Sequence, residues 1–389
     1  MAVNLTNADN ALKSIYLDVV SEQLNYQINP FFAAIKQSTN DVWGKEVKKL
    51  VVAGLNGGIG AGTEDGALPT ATGNDYKQFV STLKNLYGTI EISDKAIRAS
   101  ENNSGAFVNL LNAEMEGLIK SSTFNFGRML FGNGSGALCE IKDVNGTGFS
   151  VNNTAALMEG MPVEIYDAGE KLTYQDDLRI TAVDRKNSVV YLNHDCTEDV
   201  GASGSIYIRN SYNQEITGLD AIFNSSVETL YGLNKAENEW LKPYEKENQG
   251  AITEADIQLC LDMIEEQSGS AVNFIVCSWG VRRALQKLFA ESRRSIDMME
   301  LAGGFKAMSY NGIPIVADRF CPKGTMYFLN TNDFTLHQLC DWQWLAGDDG
   351  RVLKQVPGKP VYTATLVKYA ELICSRPNGQ GVISSITEA

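Results

Sequence analysis

The sequence predicts an α+β fold in which a long hairpin, one long helix and a mixed helix–strand region are interrupted by a small all-β module. Three observations carry this reading. Apolar residues between 104 and 130 recur every three or four positions, the period of one helix face. Between 137 and 212 short β-like runs are separated by Gly, Asn and Asp turns. From 213 onward helical and strand patterns alternate. The chain has 389 residues, 44% of them apolar, which excludes a disordered polar chain. That length fits two or three packed units.

Residues 8–38 read as a loosely built helical arm, with Leu12, Tyr16, Val19 and Val20 as a short stripe and Asn29-Pro30 as a break. So small an apolar face is expected to pack on something else. Residues 47–53 are β-like and enter a stretch with glycine at 54, 57, 58, 60, 62 and 66. The chain passes Leu68-Pro69 and returns through a β-like segment from Tyr76 to Ile92. This predicts a long hairpin with a flexible tip, marginal in isolation and stabilised if it reaches over a neighbouring subunit.

Phe107, Leu111, Met115, Leu118, Phe126 and Met129 define the long helix, with a break in the stripe at Ser122 and Ser104 or Asn103 as cap. In the module, β-like runs fall at 162–166, 178–183, 189–192 and 206–208, with Asn145-Gly146 among the turns. Helical patterns resume after it, so it reads as an insertion. Thr253 and Asp256 form a capping-box start to a helix ending at Gly269. Residues 274–277 read as a buried strand, and Ser278 caps the next helix, which carries Val281, Leu285, Leu288 and Phe289. Asn311-Gly312 predicts a hairpin turn, 326–329 a strand, and 361–374 a long alternating sheet strand.

Composition narrows the chemistry. Lys plus Arg total 33 against 47 Asp plus Glu, a formal charge of −14, which argues against avid nucleic-acid binding. His194 and His337 are the only histidines, and neither neighbours a nucleophile elbow. The trio His194, Asp195 and Cys196 has no partner motif for a metal. Seven scattered cysteines without a C-x-x-C pair read as reduced thiols. No export signal and no run of about 18 apolar residues is present, so neither secretion nor membrane insertion is expected. The cluster from Gly57 through Gly58 and Gly60 to Gly62 fails the G-x-G-x-x-G pattern, because Thr63 and Asp65 stand at the third position, and no Walker Lys follows. It reads as a hairpin tip. Adjacent carboxylates such as Glu265-Glu266 and Asp348-Asp349 read as solvated charge. The Arg282-Arg283 and Arg293-Arg294 doublets are read as ion-pairing with Glu residues of a neighbouring subunit, in preference to lining a lumen that faces nucleic acid. Trp342 and Trp344 share one face of a strand, either in the core or at a subunit contact.

The order of segments resembles the major capsid proteins of tailed bacteriophages, the Hong Kong 97-type shell fold shared with encapsulin nanocompartments. Tyr87-Gly-Thr-Ile-Glu-Ile-Ser-Asp-Lys-Ala96 is similar to the return of that family's extended loop, and Phe107 to Met129 to its spine helix. Tyr310-Asn-Gly-Ile-Pro-Ile-Val-Ala-Asp318, Pro322-Lys-Gly324 and 326–329 are similar to the late axial hairpin and strand, and 361–375 to the closing peripheral strand. The module at 137–212 departs from the minimal pattern. The resemblance implies an N-terminal arm (1–44), an extended β-hairpin loop (45–92), a peripheral domain with the spine helix (93–136), the inserted β-rich module (137–212), an axial α/β domain (213–350), and the closing peripheral strand with the C-terminal residues (351–389).

It further implies a structural protein, not an enzyme, with no catalytic, metal or cofactor residues. Copies would assemble as hexamers and pentamers into an icosahedral shell around phage double-stranded DNA, held without sequence-specific binding. The ordered pattern starts near residue 8 and leaves no room for a fused scaffolding region, so a separate scaffolding protein is expected, with a portal protein and a decoration protein as further partners. Assembly would take place in the host cytoplasm, and the mature location would be the virion. Gly57, Gly58, Gly60, Leu68, Pro69, Arg282, Arg283, Arg293, Arg294, Trp342 and Trp344 are the subunit-contact candidates. Lys77 and Asn378 lie where some family members cross-link, but such residues are common and no cross-link is assigned. The alternatives are an encapsulin-like shell around a cargo enzyme, a soluble carboxylate enzyme, and a binding protein acting through 137–212.

Overall fold

The computed structural model describes residues 29–40, 42–54, 56–95, 104–145, 148–172, 177–196, 200–201, 204–291, 298–300, 306–346, 350 and 352–389. Most of the arm, the Asn145-Gly146 turn, Arg293 and Arg294 therefore lie wholly or partly outside the described residues.

The long helix runs Ser104–Met129 without interruption at Ser122. Its second half lies across a five-stranded sheet whose centre is Val361–Cys374. Lys84–Ser93 pairs antiparallel with the first ten residues of that strand, and Phe334–Trp344 pairs along its second half. Lys36–Ser38 adds a parallel strand beside Thr335 to His337. The arm differs here from a continuous helix. Asn29 caps a short helix, Pro30–Ala34, its side chain accepting from the Phe32 N–H at 2.6 Å. Pro30 thus opens a helix as well as closing off what precedes it, because its fixed φ suits the first helical turn.

Phe31 and Phe32 anchor that helix. Phe31 meets Phe334 edge-on at 5.3 Å, and Phe32 meets Phe126 at 5.3 Å. Residue 368, in the middle of the central strand, is a fully buried lysine. Its Nζ donates to Asp341 and Gln338 at 2.7 Å each and lies 5.3 Å from the Phe126 ring and 5.9 Å from that of Trp342. Burial pushes its pKa down, and the Asp341 carboxylate opposes that shift.

Residues 137–208 form a seven-stranded antiparallel sheet in the order Ile180–Asp184, Val189–Leu192, Gly148–Val151, Ala137–Asn145, Ser205–Ile208, Val163–Asp167, Glu170–Lys171. A Pro162–Arg179 bridge, with Val163 N–H to Leu178 O and Ile180 N–H to Met161 O, joins its two sides into a small barrel. Leu138, Ile141, Phe149, Ile165, Ile180, Val190 and Ile206 fill the interior as a core of their own. The strands at 137–145 and 148–151 lie outside the β-like runs that the sequence pattern marks, and are held by pairing with each other, with Ser205–Ile208 and with Val189–Leu192.

The chain leaves and re-enters the main body at one place, the C-terminal end of the long helix. The Asn213 N–H donates to Ser135 O at 2.7 Å and the Leu219 N–H to Leu130 O at 2.8 Å. Arg128, in the last helical turn, forms a buried ion pair with Glu215 and donates to Asn125 Oδ1. Gly218 is wedged against the helix end. A Cβ there would lie 2.6 Å from the carbonyl oxygens of Leu130 and Gly132, and closer still to that of Met129.

A second seven-stranded sheet is mixed, in the order Tyr244–Gly250, Gly381–Ile386, Met326–Leu329, Phe274–Cys277, Ile313–Ala317, Lys306–Tyr310, Met298–Glu300. Its inner strands are buried on both faces, and their residues alternate between two cores. Ile275, Cys277, Ile315, Met326 and Phe328 face helices Glu254–Ser268 and Trp279–Glu291. Phe274, Val276, Val316, Tyr327 and Leu329 join the main core with the long helix. Thr253 and Asp256 form the full capping box, and Gly269 ends the first of these helices in the left-handed conformation. Asn311 and Gly312 both have positive φ, as a two-residue hairpin turn requires. After Cys374 the chain crosses from the first sheet to the second, where Gly381–Ile386 pairs between two strands.

Two predictions follow from this packing. Gly218→Ala forces backbone apart at the helix end and should destabilise the chain by about 3 kcal/mol, measured by urea unfolding. Glu371 is fully buried, accepts from the Thr217 N–H at 2.7 Å, and has its carboxyl pushed by burial from 4.5 up to about 7. Between those values the folded chain holds a proton that the unfolded chain has released, so this group makes stability fall as pH rises through that window. Glu371→Gln should remove on the order of 1–3 kcal/mol of that pH dependence between pH 5 and 8, read from urea midpoints across the range.

Candidate assembly surfaces

The hairpin strands, Glu46–Gly54 and Asp75–Thr82, pair in register from Glu46 opposite Thr82 to Gly54 opposite Asp75. A corner at Leu83, whose N–H donates to Lys45 O, turns the second strand into Lys84–Ser93. The sequence pattern shows one β-like segment from Tyr76 to Ile92, and this corner divides it into two strands. Phe79 anchors the base of the hairpin within its own chain. It stacks on Trp240 at 5.7 Å and contacts Tyr231 at 5.1 Å, while the Val80 N–H donates to Tyr231 O. Beyond this base the hairpin leaves the body.

Its tip holds the exposed apolar side chains Ile59, 83% accessible, and Leu68, 91% accessible, with Leu50, Val52 and Tyr76 exposed along the strands. Gly57, Gly58 and Gly60 lie in this tip, where a Cβ on them would meet the tip residues Asn56, Thr72 and Pro69. Asn56 organises it locally, its Oδ1 accepting from the Gly58 N–H at 2.9 Å. Among the described residues nothing buries Ile59 or Leu68, and exposed apolar side chains of this size mark contact surfaces when they cluster.

Arg282 and Arg283 lie on helix Trp279–Glu291. Arg282 stacks over the Trp279 ring at 5.5 Å, and the Arg283 Nε donates to the Ala389 backbone oxygen at 2.6 Å. Trp342 and Trp344 are buried in the main core of their own chain, Trp342 against Phe126. Arg282 and Arg283 therefore do not come together with the tryptophans in one site, and the hairpin tip is separate from both. Composition missed the exposed Trp279 and Leu259, which stand out only once the helices have a buried face.

A cleft of about 560 Å³ lies where the long helix, the strand Lys84–Ser93 and the barrel rim at 158–162 and 208–211 meet. Among the described residues no group of three His, Cys, Asp or Glu is placed to hold a metal ion. All seven cysteines are free thiols, and burial raises the pKa of Cys139, Cys260, Cys277, Cys321 and Cys374. Asp318, buried at the end of Ile313–Ala317, is pushed up to about 6 by burial while accepting from the Phe320 N–H. No helix among the described residues is long and apolar enough to cross a membrane.

The family model described as SU10 major capsid protein matches residues 144–351, more than half of the chain. The chain belongs to the SU10 major capsid protein family. It is a major capsid protein of a tailed bacteriophage and forms an icosahedral shell, so it is a component of the virion capsid. The matched segment includes most of the barrel as well as the second sheet. No curated protein matches the sequence. Among solved structures, the capsid asymmetric unit of cyanophage A-1(L) is similar over 91% of each chain, with 13% identity and a TM-score of 0.58. This likeness identifies the Hong Kong 97-type capsid fold. The capsid of an empty GTA particle (TM-score 0.48, 11% identity, 93% of this chain and 91% of that one) and the SrpI encapsulin of Synechococcus elongatus PCC 7942 (0.47, 9%, 92% and 89%) are weaker likenesses.

The two parts of the hairpin should respond differently to substitution. Phe79→Ala removes a fully buried ring and should cost about 3–5 kcal/mol. Leu68→Ser, at an exposed site, should stay within about 0.5 kcal/mol. Urea unfolding of the dissociated subunit measures both.

Proposed function

We propose that this major capsid protein closes its shell as hexamers and pentamers in which each hairpin tip is buried by a neighbouring subunit. The supporting observation is the hairpin itself. Its base is fixed by Phe79, while its tip presents Ile59 and Leu68 to solvent. A structural role follows in which the chain supplies shape and contact surface and performs no catalysis. The shell encloses double-stranded DNA without reading its sequence, consistent with a charge of −14 that leaves few cations to grip phosphate.

Assembly is proposed to use a separate scaffolding protein in the host cytoplasm, with portal and decoration proteins as further partners. The barrel is proposed to be an insertion, since its entry at Ser135 and its exit at Asn213 are hydrogen-bonded neighbours. Arg282, Arg283, Trp342 and Trp344 retain the role of contact candidates only so far as assembly exposes them to a neighbour.

Negative-stain microscopy of the expressed chain should show rings or closed shells tens of nanometres wide, and a discrete monomer would overturn the reading. Deleting residues 54–75 should abolish shells while leaving the subunit's unfolding midpoint nearly unchanged. Equal loss of both would count against a contact between copies at the tip.

A further inference from the structure

The two helices that cover one face of the second sheet carry opposite charge. Glu254–Ser268 contains five carboxylates and no Lys or Arg. Its outward side shows Asp262, Glu265 and Glu266, all exposed. Trp279–Glu291 contains Arg282, Arg283 and Lys287, and its single carboxylate is the last residue. Its outward side shows Arg283 and Lys287. Each helix also exposes one apolar side chain, Leu259 at 43% and Trp279 at 51%.

The placement of the helices matters as much as their charge. Glu254–Ser268 packs over Tyr244–Gly250 and Gly381–Ile386, at one edge of the sheet. Trp279–Glu291 packs over Ile313–Ala317, toward the opposite edge. An acidic surface and a basic surface toward different edges of one sheet are complementary between copies, and a head-to-tail contact that joins them generates a ring when its rotation closes. An apolar side chain surrounded by complementary charge is also the usual anatomy of a specific contact.

We infer that the acidic face of helix Glu254–Ser268 in one subunit docks against the basic face of helix Trp279–Glu291 in the next copy, forming the head-to-tail contact of the capsomer ring. This rests on the proposed ring assembly and names the surfaces that make it.

Charge reversal tests it in the full chain. Arg283→Glu with Lys287→Glu leaves both faces acidic, and Asp262→Lys with Glu265→Lys and Glu266→Lys leaves both basic. Each variant alone should lose rings and shells by negative-stain microscopy and sediment as a subunit that still melts cooperatively, with the loss of exposed contacts such as Arg283 to Ala389 lowering its melting temperature by a few degrees at most. Carrying all five substitutions on one chain reverses both faces and should restore rings. Mixing the two single-face variants should restore even-membered rings only, because the variants must alternate. If the wild type itself forms no rings, the proposed assembly fails. If the wild type assembles and the single-face variants assemble equally well, or the combined variant is not rescued while still folded, the helix contact is overturned and ring assembly stands.

Discussion

The C-terminal end of the long helix is the point on which the rest of the chain depends. Within a few residues it receives the arm, through the Asn29 side chain donating to Gly127 O. It also receives the segment that returns from the barrel, through the Leu219 N–H donating to Leu130 O. A helix end leaves its last carbonyls without intrahelical donors, and burying them unpaired is costly. Here the donors come from other parts of the chain, so satisfying the helix end and assembling the tertiary structure become the same event. Gly218 is the steric condition for this, since only a residue without Cβ lets that backbone reach the carbonyls. Arg128 adds charge at the negative end of the helix and is itself neutralised by Glu215.

From that point the two sheets are tied together by alternation. Each inner strand of the second sheet sends successive side chains to different cores, so the strand Phe274–Cys277 cannot slip by one residue without exchanging the two sets. The first sheet is pinned by a different device. Lys368 is held by Asp341 and Gln338 from the adjacent strand and covered by two aromatic rings. A buried charge is worth little as net stability, but it tolerates only the register that presents its partners. The bulges between Gln338 and Gln343 place Asp341 within its reach.

The elements legible in sequence are those whose cause is local. The capping box at Thr253, the Asn311-Gly312 turn, the strand Phe274–Cys277 and the long helix each follow from neighbouring residues, and each stands close to where the pattern sets it. Strands that the local pattern does not show depend on distant partners. Tyr244–Gly250 reads Y-E-K-E-N-Q-G, a charged edge strand that exists because Gly381–Ile386 lies beside it. Ala137–Asn145 likewise becomes a strand by closing the barrel. The glycine-rich tip was legible because it has no tertiary cause at all. The anchoring of its base was not, because Phe79 meets Tyr231 and Trp240 only after about 150 further residues have folded. The charged faces of the two sheet-covering helices show the same limit: each composition is plain in sequence, but their opposition across one sheet is a property of topology.

These features divide the surface by what deformation it allows. The helix faces sit on a sheet buried on both sides, so their charges are held at fixed separation and can discriminate between correct and incorrect neighbours. The hairpin tip has the opposite character, for it is rich in glycine and leaves Ile59 and Leu68 exposed. In the proposed assembly of hexamers and pentamers, identical chains stand in surroundings that are similar but not identical. Rigid complementary faces fix which surfaces meet. A compliant apolar tip can bury Ile59 and Leu68 over a range of angles between neighbours, because the hydrophobic gain is non-directional. Separating these two demands onto different elements lets one sequence satisfy both, and it explains why the tip can lack regular structure while the sheet beneath the helices cannot.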